Sequence, residues 1–392
     1  MSNNNSEIVV YGNDAMETSS DSTQSDEDDM SALEAFDIRL PSLHQYLHFE
    51  DNDVTRRLRT ELPGTVLNVT ILDLPVVLMP FQRFPFLTSE PRTVAQLKQA
   101  FLNSDVIAAH PYLGVVPTDV ATLIQIEKLD DNEHETSIQA VGRQRCKIVH
   151  RGHQINGVPY GKVEVLEDQE LPPFPTIFQP ACFLRFNEYS RLKIAASLSH
   201  FSYFAVKSCS TAAKVALLRH WLSKIHPLEK IDHEIQEGWT RFSYWVASNL
   251  PIGLQKRLPL LEEKSTNRRL LLEWSIVSGS KYMLCSNCEN KLGQVSNLII
   301  LSTEGISAHY VNPGGYVHDM LTMSKLCHHA SLPVGEPSAE FSWFPGYKWT
   351  IQECKRCRRH IGWKFTSDKL KPRSFYGLTK SAIVLDEPSC PD

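Results

Sequence analysis

Two Cys-x-x-Cys pairs constrain the fold of this chain more than any other feature. Cys285 and Cys288 form the first pair, Cys354 and Cys357 form the second, and 65 residues separate the pairs. A two-residue gap lets both thiolates of one turn point at a single ion, and two such turns complete the tetrahedral sulfur shell that suits zinc. The pattern therefore predicts a small domain built around one structural zinc ion.

Other interpretations of the cysteines are less favoured. Two pairs in one short region favour a metal over a redox-active Cys-x-x-Cys, although the gap between them is longer than in ordinary zinc ribbons. Four thiolates leave no open position on the ion, so a catalytic zinc is not expected. The run Cys327-His328-His329 has ligand chemistry but no second copy that would complete a metal shell.

Three of the seven tryptophans, Trp343, Trp349 and Trp363, lie close to the second cysteine pair. A small zinc domain needs one or two large aromatic residues in its core, so three is an excess. Indole rings around a slot can instead enclose a small, flat and partly polar ligand. The residues alone leave both possibilities open, a hydrophobic core and a ligand pocket.

Charge is distributed unevenly along the chain. Residues 1–37 contain ten acidic residues and no Lys or Arg, within a net charge of -5 for all 392 residues. Such a segment buries too little apolar surface to offset its chain entropy, so residues 1–50 are predicted to be a disordered acidic tail. The remaining positive charge is too mild for a nucleic-acid partner, which would favour a dense basic stripe.

Targeting signals are not evident in the sequence. We expect no secretory signal, because no basic segment followed by an apolar stretch opens the chain, and no membrane span, because no run of about 18 apolar residues occurs. The nine cysteines are then expected to stay reduced. Nucleus and cytoplasm are the locations predicted by elimination.

Residue composition and spacing divide the rest of the chain into three regions. Residues 62–181 are rich in β-branched residues, with one helical stretch from Thr93 to Ser104. Residues 182–278 follow a Pro-rich joint and show helical spacing, for example from Ile235 to Asn249. Residues 279–385 contain short strand-like segments and many turn residues. The fold class predicted is α+β with several domains.

Specific stretches resemble the cereblon family. YVNPGGYVHDMLT, SWFPGYKWT and CKRCRRHIGWKF are similar to its CULT domain, and the resemblance runs from about residue 283 to residue 379. Upstream, LPVVLMP and AVGRQRCKIV are similar to the Lon N-terminal domain that precedes it. The resemblance predicts a Lon N-terminal-like β domain, a helical bundle at 182–278 and a zinc-stabilised, all-β CULT domain of the β-tent type.

The resemblance also implies a function. Proteins of this family are substrate receptors of a cullin-4 RING ubiquitin ligase, and their helical region docks on the DDB1 adaptor. The CULT domain binds a cyclic imide, such as the C-terminal imide of a substrate protein or a thalidomide-type small molecule. The implied zinc ligands are Cys285, Cys288, Cys354 and Cys357. The implied ligand-binding residues are Asn312, Pro313, Phe341, Ser342, Trp343, Trp349, Trp363 and Phe365.

Individual roles follow from the same resemblance. The three tryptophans form the walls of a cage, Phe365 forms its floor, and Asn312 and Pro313 lie on a mobile loop over the mouth. The main chain of Phe341 and Trp343 supplies hydrogen bonds to the imide. Phe341 departs from the family pattern, because vertebrate relatives tend to have His at this position.

Catalysis is not expected from the sequence. The chain lacks the G-x-x-x-x-G-K-[ST] loop that an ATPase needs to hold phosphates, and it shows no protease constellation. A non-catalytic receptor is therefore predicted. Two alternatives stay open: a CULT-type reader that acts outside a ligase, and an enzyme similar to methionine sulfoxide reductases, for which Cys327 is the free candidate nucleophile.

Overall fold

The computed structural model describes residues 34–43, 60–103, 105–112, 118–131, 135–154, 157–170, 185–197, 202, 204–205 and 210–386. Most of the predicted acidic tail, at 1–33 and 44–50, lies outside these ranges, as do residues 171–184 of the joint and the start of the helical region. The predicted boundaries at 62–181, 182–278 and 279–385 stay predictions.

Seventeen strands and seven α-helices are formed by the described residues. The strands are β1 (Glu34–Ala35), β2 (Val66–Leu74), β3 (Arg83–Thr88), β4 (Val106–Pro111), β5 (Val120–Asp131), β6 (Thr136–His153), β7 (Pro159–Val165), β8 (Tyr282–Cys285), β9 (Lys291–Gln294), β10 (Ser307–Val311), β11 (Val317–Met323), β12 (Ser331–Ser338), β13 (Lys348–Cys354), β14 (His360–Thr366), β15 (Leu370–Lys371), β16 (Ser374–Thr379) and β17 (Ile383–Leu385). The helices are α1 (Pro91–Asn103), α2 (Glu188–Ser197), α3 (Thr211–Leu222), α4 (Leu228–Gln236), α5 (Trp239–Asn249), α6 (Leu254–Glu262) and α7 (Thr266–Val277).

The first sheet closes on itself. Its strand order is β3-β6-β5-β4-β2-β7, and β7 also pairs with β6, so five of the strands form a small barrel. Within this sheet β2 and β4 pair in parallel, and the other pairs are antiparallel. Helix α1 buries Leu97 and Ala100 against this sheet, because its apolar residues recur at helical spacing. Closure leaves few unpaired strand edges in this part of the chain.

Helices α2 to α7 follow the barrel strands in the chain and precede the C-terminal strands. The sequence predicted one helix from Ile235 to Asn249, and this is wrong, because Gly238 adopts a φ of 120° and separates α4 from α5. Glycine can hold this conformation because it carries no Cβ atom. None of the described helices has both the length and the apolar character needed to cross a bilayer.

The C-terminal region is all-β. A six-stranded antiparallel sheet has the order β10-β11-β16-β14-β13-β12, and a second sheet has the order β17-β8-β9. The apolar segment from Leu298 to Ser302 does not form a strand and makes only isolated bridges. Residues from both sheets pack in one hydrophobic core, as expected for a domain of two packed β layers.

An N-terminal segment pairs with this C-terminal region. Strand β1 lies parallel to β15, and Phe36, which is only 8% exposed, packs its ring against Phe344 and Tyr347 at centroid distances of 5.9 and 5.4 Å. Disorder was predicted through residue 50, and that prediction is wrong for residues 34–43. Phe36 is an aromatic residue between the acidic residues Glu34 and Asp37, and the free energy gained by its burial offsets the entropy lost when its neighbours are ordered.

Candidate metal centre and aromatic cage

The four paired cysteines converge, as their spacing predicted. The Sγ atoms of Cys285, Cys288, Cys354 and Cys357 all lie within 4.8 Å of one another, and they can hold a metal ion. The Sγ atoms of Cys285 and Cys357 are 3.6 Å apart, as are those of Cys288 and Cys354. None of these cysteines forms a disulfide.

The two cysteine turns have matching geometry. In the first turn the N–H of Glu289 donates to the carbonyl of Cys285 at 2.8 Å, and in the second the N–H of Arg358 donates to the carbonyl of Cys354 at 2.9 Å. Glu289 and Arg358 both occupy left-handed conformations, with φ values of 58° and 62°. Each turn thus reverses the chain just after its second cysteine, and both thiols of the pair face the same point.

The sulfur arrangement fits a tetrahedral ion. A metal–sulfur distance of about 2.3 Å, as zinc prefers, places neighbouring sulfurs of a tetrahedron about 3.8 Å apart. The separations of 3.6 Å and the upper limit of 4.8 Å bracket this value. Asn290 lies beside the sulfurs, since its Nδ2 is 3.6 Å from the Sγ of Cys354. The cluster is therefore compatible with zinc, with all four positions taken by protein.

Two of the three tryptophans meet at a right angle. The rings of Trp343 and Trp363 have centroids 4.9 Å apart and planes at 88° to each other. Trp343 is only 8% exposed, and its Nε1 donates to the carbonyl of Val311 at 2.7 Å. Trp349 is half-buried, and its Nε1 donates to the carbonyl of Glu340 at 2.7 Å. Both hydrogen bonds fix the orientation of an indole, and the role of these rings as walls of a ligand cage stays a prediction.

Strand register places the remaining cage residues on one face of the sheet. Trp349 pairs with Phe365 and Ile351 pairs with Trp363, so these four side chains share a face of β13 and β14. Phe365 is fully buried and stacks on Phe375 at 4.8 Å. Phe365 thus belongs to the same aromatic cluster as the tryptophans, and its role as the floor of a cage stays a prediction.

Gly377 lies opposite Trp363 in the neighbouring strand, where a Cβ atom would meet other side chains. Gly377 pairs with Trp363, and a Cβ atom at Gly377 would lie 2.3 Å from Sδ of Met320 and 3.1 Å from the ring of Phe365. The 2.3 Å distance is below ordinary van der Waals contact, so a larger residue at Gly377 would have to shift the end of the Met320 side chain and press on the ring of Phe365. Gly377 therefore leaves room for Met320 and Phe365 beside the strand that carries Trp363.

His318 is a cage residue that the sequence analysis did not single out. Its ring lies 5.3 Å from Trp343 and 4.9 Å from Trp363, at 86° to the latter. Burial lowers the pKa of His318 to about 4, and the nearby His360 adds to this effect. The imidazole is therefore neutral at physiological pH and can both donate and accept a hydrogen bond. Tyr316, His318 and Met320 are spaced two residues apart at β11, and this spacing could have placed His318 on one face of a strand with them.

The turn between β10 and β11 borders the cage. Asn312 closes it, because its Oδ1 accepts from the N–H of Tyr316 at 2.8 Å and its N–H donates to the carbonyl of Tyr316 at 3.1 Å. Pro313 is exposed at its tip. The turn adjoins Trp343 through the Val311 carbonyl. Asn312 is thus near the tryptophans and engaged in the turn itself, and a ligand contact of Asn312 or Pro313 stays a prediction.

The segment before Trp343 presents main-chain groups beside the cage. Ser342 is buried and its hydroxyl donates to the carbonyl of Phe344 at 3.1 Å, so its side chain stabilises the turn. Within the part of the chain that the structure describes, the N–H and C=O of Trp343 make no hydrogen bond. Phe341 is half-exposed and holds a left-handed φ of 57°. The main chain of Trp343 thus has no hydrogen-bond partner among the described residues, and a ligand contact there stays a prediction.

A buried ionic cluster supports the cage from behind. Asp319 follows His318 on β11 and points to the opposite face, where it bonds to Arg257 of α6 and lies 3.4 Å from Nζ of Lys380. Burial opposes ionisation of Asp319, but Lys380 and Arg257 outweigh it and lower its pKa to about 2. Lys380 also donates to the carbonyl of Ser248 at 3.0 Å. The strand that carries His318 is thus anchored to α5 and α6.

Comparisons with known proteins agree with this architecture. Residues 62–278 match the family model described as the ATP-dependent protease La (LON) substrate-binding domain. Protein cereblon of Xenopus tropicalis is 30% identical, over 89% of this chain and 84% of its own length. The chain belongs to the cereblon family. Protein cereblon of Danio rerio is likewise 30% identical over 89% of this chain, and that of Gallus gallus is 29% identical over 91%.

Membership in the cereblon family confirms the resemblance drawn from the sequence. The predicted fold class is confirmed as well: a Lon N-terminal-like region, mixed helices and sheets, and an all-β region with a four-cysteine cluster. Among solved structures, the Lon N-terminal domain protein from Xanthomonas campestris aligns with 53% of this chain at 19% identity, with a TM-score of 0.36.

Cys327, the candidate nucleophile of the enzyme alternative, lies at the metal end. It packs with Cys288 and Cys357 against the large core that includes the helices, whereas Trp343 and Trp363 belong to a separate aromatic cluster. A reductase of the kind considered needs a reactive thiol facing an aromatic pocket. The position of Cys327 does not supply that arrangement.

Proposed function

We propose that this chain is the substrate-recognition subunit of a cullin-4 RING ubiquitin ligase. It binds a cyclic imide in the cage of Trp343, Trp349 and Trp363, and it presents the bound protein for ubiquitination and degradation. The observation that carries the proposal is the right-angle pair of Trp343 and Trp363 beside hydrogen-bonding groups of Trp343 that have no partner in the described chain. Ubiquitin transfer itself is assigned to partner proteins.

The chemistry of an imide suits this cage. A five- or six-membered cyclic imide is flat, has an apolar edge of ring carbons, and carries one N–H donor between two carbonyl acceptors. Perpendicular indoles 4.9 Å apart can contact its faces and edge. The N–H and C=O of Trp343 match an acceptor and a donor of the imide, and neutral His318 can supply a further partner.

Zinc is the metal proposed for the four cysteines. Four thiolates in tetrahedral arrangement select zinc or an iron–sulfur centre among common metals, and sulfurs 3.6 Å apart match a single ion. The role is structural, since the cysteines fill every coordination position. The ion holds the turn of Cys285 and Cys288 against the turn at the ends of β13 and β14, which also carry Trp349 and Trp363.

The helical region is proposed as the docking surface for the DDB1 adaptor. Large apolar side chains on its helices stay exposed, which is typical of an interaction surface. They are Tyr189, Leu217, Leu228, Leu271 and Leu272. Assembly of this kind places the protein in the nucleus and cytoplasm, which is part of the same proposal.

Imide titration tests the cage. Addition of N-acetyl-3-aminoglutarimide to the metal-loaded protein is expected to quench tryptophan fluorescence in a saturable manner. A ring-opened glutamine analogue, which lacks the imide, is the matched ligand control and should leave the fluorescence unchanged. The proposal fails if the folded, metal-loaded protein shows no saturable response to the imide.

Adaptor binding is tested by reconstitution with purified DDB1. The double substitution Leu217→Glu and Leu228→Glu introduces two charges into the exposed apolar surface of α3 and α4, and it is expected to reduce binding at least tenfold. Gln255→Glu on α6 is the control for added surface charge. If imide binding succeeds while no adaptor binding occurs in the unmodified chain, the protein is a CULT-type reader outside a ligase.

A further inference from the structure

A cavity of about 410 Å³ lies among residues of the barrel, the helices and the C-terminal sheet. Its walls come from β6 and the turn before β3, from α4 and α5, and from β10 with the segment that precedes it. Small-molecule sites commonly measure about 300–1,000 Å³. None of the described residues that line this cavity belongs to the four metal cysteines or to the three tryptophans of the cage. A molecule bound here would contact three parts of the chain at once.

Basic residues outnumber acidic ones on the walls of this cavity. Among the described residues that line it, four are basic and three are acidic. Two of the acids share one base, because Glu127 lies 3.6 Å from Nε of Arg83 and Glu304 lies 3.3 Å from its Nη1. The third acid, Glu234, pairs with basic residues of α4 and α5 at 2.9 and 3.1 Å. The fourth basic residue, Arg143, has no ion pair within the described chain.

Arg143 lies at a β-bulge of strand β6. In the pairing of β5 with β6, Leu123 is opposite Gln144 and Ile124 is opposite Gly142, so Arg143 has no partner residue on β5. A bulge re-aims the side chain of the extra residue, and bulges are common beside functional sites. The Nε atom of Arg143 is shut off from water and has no hydrogen-bond partner among the described residues. Its charge is thus poorly solvated, which favours an anion at the remaining N–H groups.

Two guanidinium groups share the cavity, that of Arg143 on β6 and that of Arg241 on α5. Burial lowers the pKa of Arg143; Glu127 opposes this effect, and the positive charge of Arg241 adds to it. The guanidinium of Arg241 is positioned by a 3.1 Å bond to Glu234 and by the ring of Phe81, whose centroid lies 5.3 Å away. Its Nη2 makes no hydrogen bond within the described part of the chain. An anion between the two arginines would relieve their repulsion and accept from both.

A phosphoryl group matches two guanidinium groups better than a carboxylate does. A phosphate monoester has three terminal oxygens and a charge of about -1.5 to -2 at pH 7, so it can accept hydrogen bonds from two arginines at once. One carboxylate has two oxygens, which the fork of a single arginine satisfies. Phe81 and Trp245 also line the cavity, and their rings offer apolar surface to a flat group attached to the phosphate.

We propose that this cavity binds a small phosphate monoester with a flat apolar body, and that Arg143 and Arg241 hold its phosphoryl oxygens. The site does not depend on the imide cage, so this inference stands or falls apart from the proposed function. Because the ligand binds the folded chain and contacts three of its parts, it also stabilises the fold.

Calorimetric titration tests the inference. Phenyl phosphate is added to the whole, metal-loaded chain in Tris buffer, with the ionic strength held constant by NaCl so that charge screening does not change. We expect saturable binding of phenyl phosphate, weaker binding of inorganic phosphate, which lacks the ring, and the weakest binding of benzoate, which carries a carboxylate. Arg143→Met should weaken the binding of phenyl phosphate about tenfold or more, because charge-assisted hydrogen bonds are lost.

Lys147→Met is the matched control. Lys147 is also a basic residue of β6, but it forms an exposed ion pair with Asp119 at 3.2 Å and does not line the cavity. This variant removes the same charge and should keep the affinity of the unmodified protein. Arg241→Gln changes the second guanidinium from a different element and should also weaken binding about tenfold or more. Near-ultraviolet circular dichroism confirms that each variant is folded.

The outcomes separate the parts of the proposal. If phenyl phosphate does not bind the folded protein, or if it binds the Arg143→Met and unmodified proteins equally, the site is not as proposed. Benzoate binding as tightly as phenyl phosphate would overturn the phosphoryl assignment, and inorganic phosphate binding as tightly would overturn the ester assignment. Binding that is weakened by Arg143→Met and Arg241→Gln but not by Lys147→Met supports the proposal.

Discussion

The two ends of strand β13 show two different ways to build a site. Cys354, at one end, belongs to the metal cluster, and Trp349, at the other, belongs to the cage. They are five positions apart in extended chain, which corresponds to about 17 Å. The cluster is made by two short turns with the same internal hydrogen bonds. The cage draws on the β10–β11 turn, the Glu340–Trp343 segment, β11, β13 and β14.

This contrast predicts an asymmetric dependence between the sites. The metal cluster needs only its turns to be brought together, whereas the cage needs the whole sheet to be in register. Loss of the cluster should therefore abolish the cage, and loss of a cage wall should leave the cluster intact. The variants below test this relation, from the largest expected effect to the smallest.

Substitution of one metal ligand should have the largest effect. Cys354→Ser removes a thiolate that also ends β13, and structural zinc sites contribute about 10 kcal/mol or more to folding. We expect loss of bound metal, unfolding of the C-terminal β region and loss of imide binding, measured by elemental analysis, near-ultraviolet circular dichroism and titration. Cys327→Ser is the control and should retain the metal. A Cys354→Ser protein with full metal content would contradict the assignment.

Removal of a cage wall should be severe but local. Trp343→Ala deletes a side chain that is 8% exposed, together with its hydrogen bond to Val311, and should cost about 3–5 kcal/mol of unfolding free energy. Trp349→Ala removes a half-buried ring and should cost less. Both variants should lose imide binding while keeping one metal ion per chain. Loss of the metal from either variant would show that the two ends are not separable.

The buried ionic cluster should link the cage to the helices. Arg257→Met leaves the carboxylate of Asp319 buried with Lys380 and the hydroxyl of Ser307 as partners, and it should cost about 3 kcal/mol. Imide affinity should weaken too, because Asp319 anchors the strand of His318. The neighbouring surface substitution Lys256→Met serves as the control. Urea denaturation measures the difference, and a change below about 0.5 kcal/mol would mean that Arg257 does not anchor this strand.

A shift of pH within the neutral range should have the smallest effect on the stability of the fold. Burial lowers the pKa of His309 to about 4, below its usual 6.5, so the unfolded chain takes up a proton first as pH falls. The stability that this residue contributes is full above about pH 6.5 and is lost as pH falls towards 4. Thermal unfolding from about pH 8 to about pH 4.5 measures this slope, with metal content followed in parallel. His309→Gln should flatten the slope, and an unchanged slope would exclude His309 as its source.

The metal end could be predicted from the sequence because its information is local. Two cysteines at a fixed gap determine a turn, and the turn alone orients both thiols, so the convergence of Cys285 and Cys357 could be expected without knowledge of the fold. The same reasoning located helix α1, whose apolar residues recur at helical spacing. Local rules failed where a proline or glycine was decisive. Helix α6 contains Pro259 and is held by buried Leu258 and Leu261.

The cage could be predicted only in part because its information is not local. The tryptophans were identified from their number, but His318 reaches them only through the register of β11 with β16. The carbonyl that accepts the hydrogen bond from Trp349 belongs to the main chain of Glu340, so the type of residue at this position does not predict the contact. Asp319 gains its Arg257 partner from a helix about sixty residues earlier in the chain, a contact that no motif encodes.

The pairing of β1 with β15 has a consequence for synthesis of the protein. Glu34 and Phe36 leave the ribosome early, whereas their partners Leu370 and Tyr347 are made more than three hundred residues later. The slot between Phe344 and Tyr347 can therefore close only after almost the whole chain has been translated. A fragment that starts at residue 279 would carry this slot permanently open to water. Such a fragment is expected to self-associate, and adding back residues 34–43 as a peptide should restore it to a monomer.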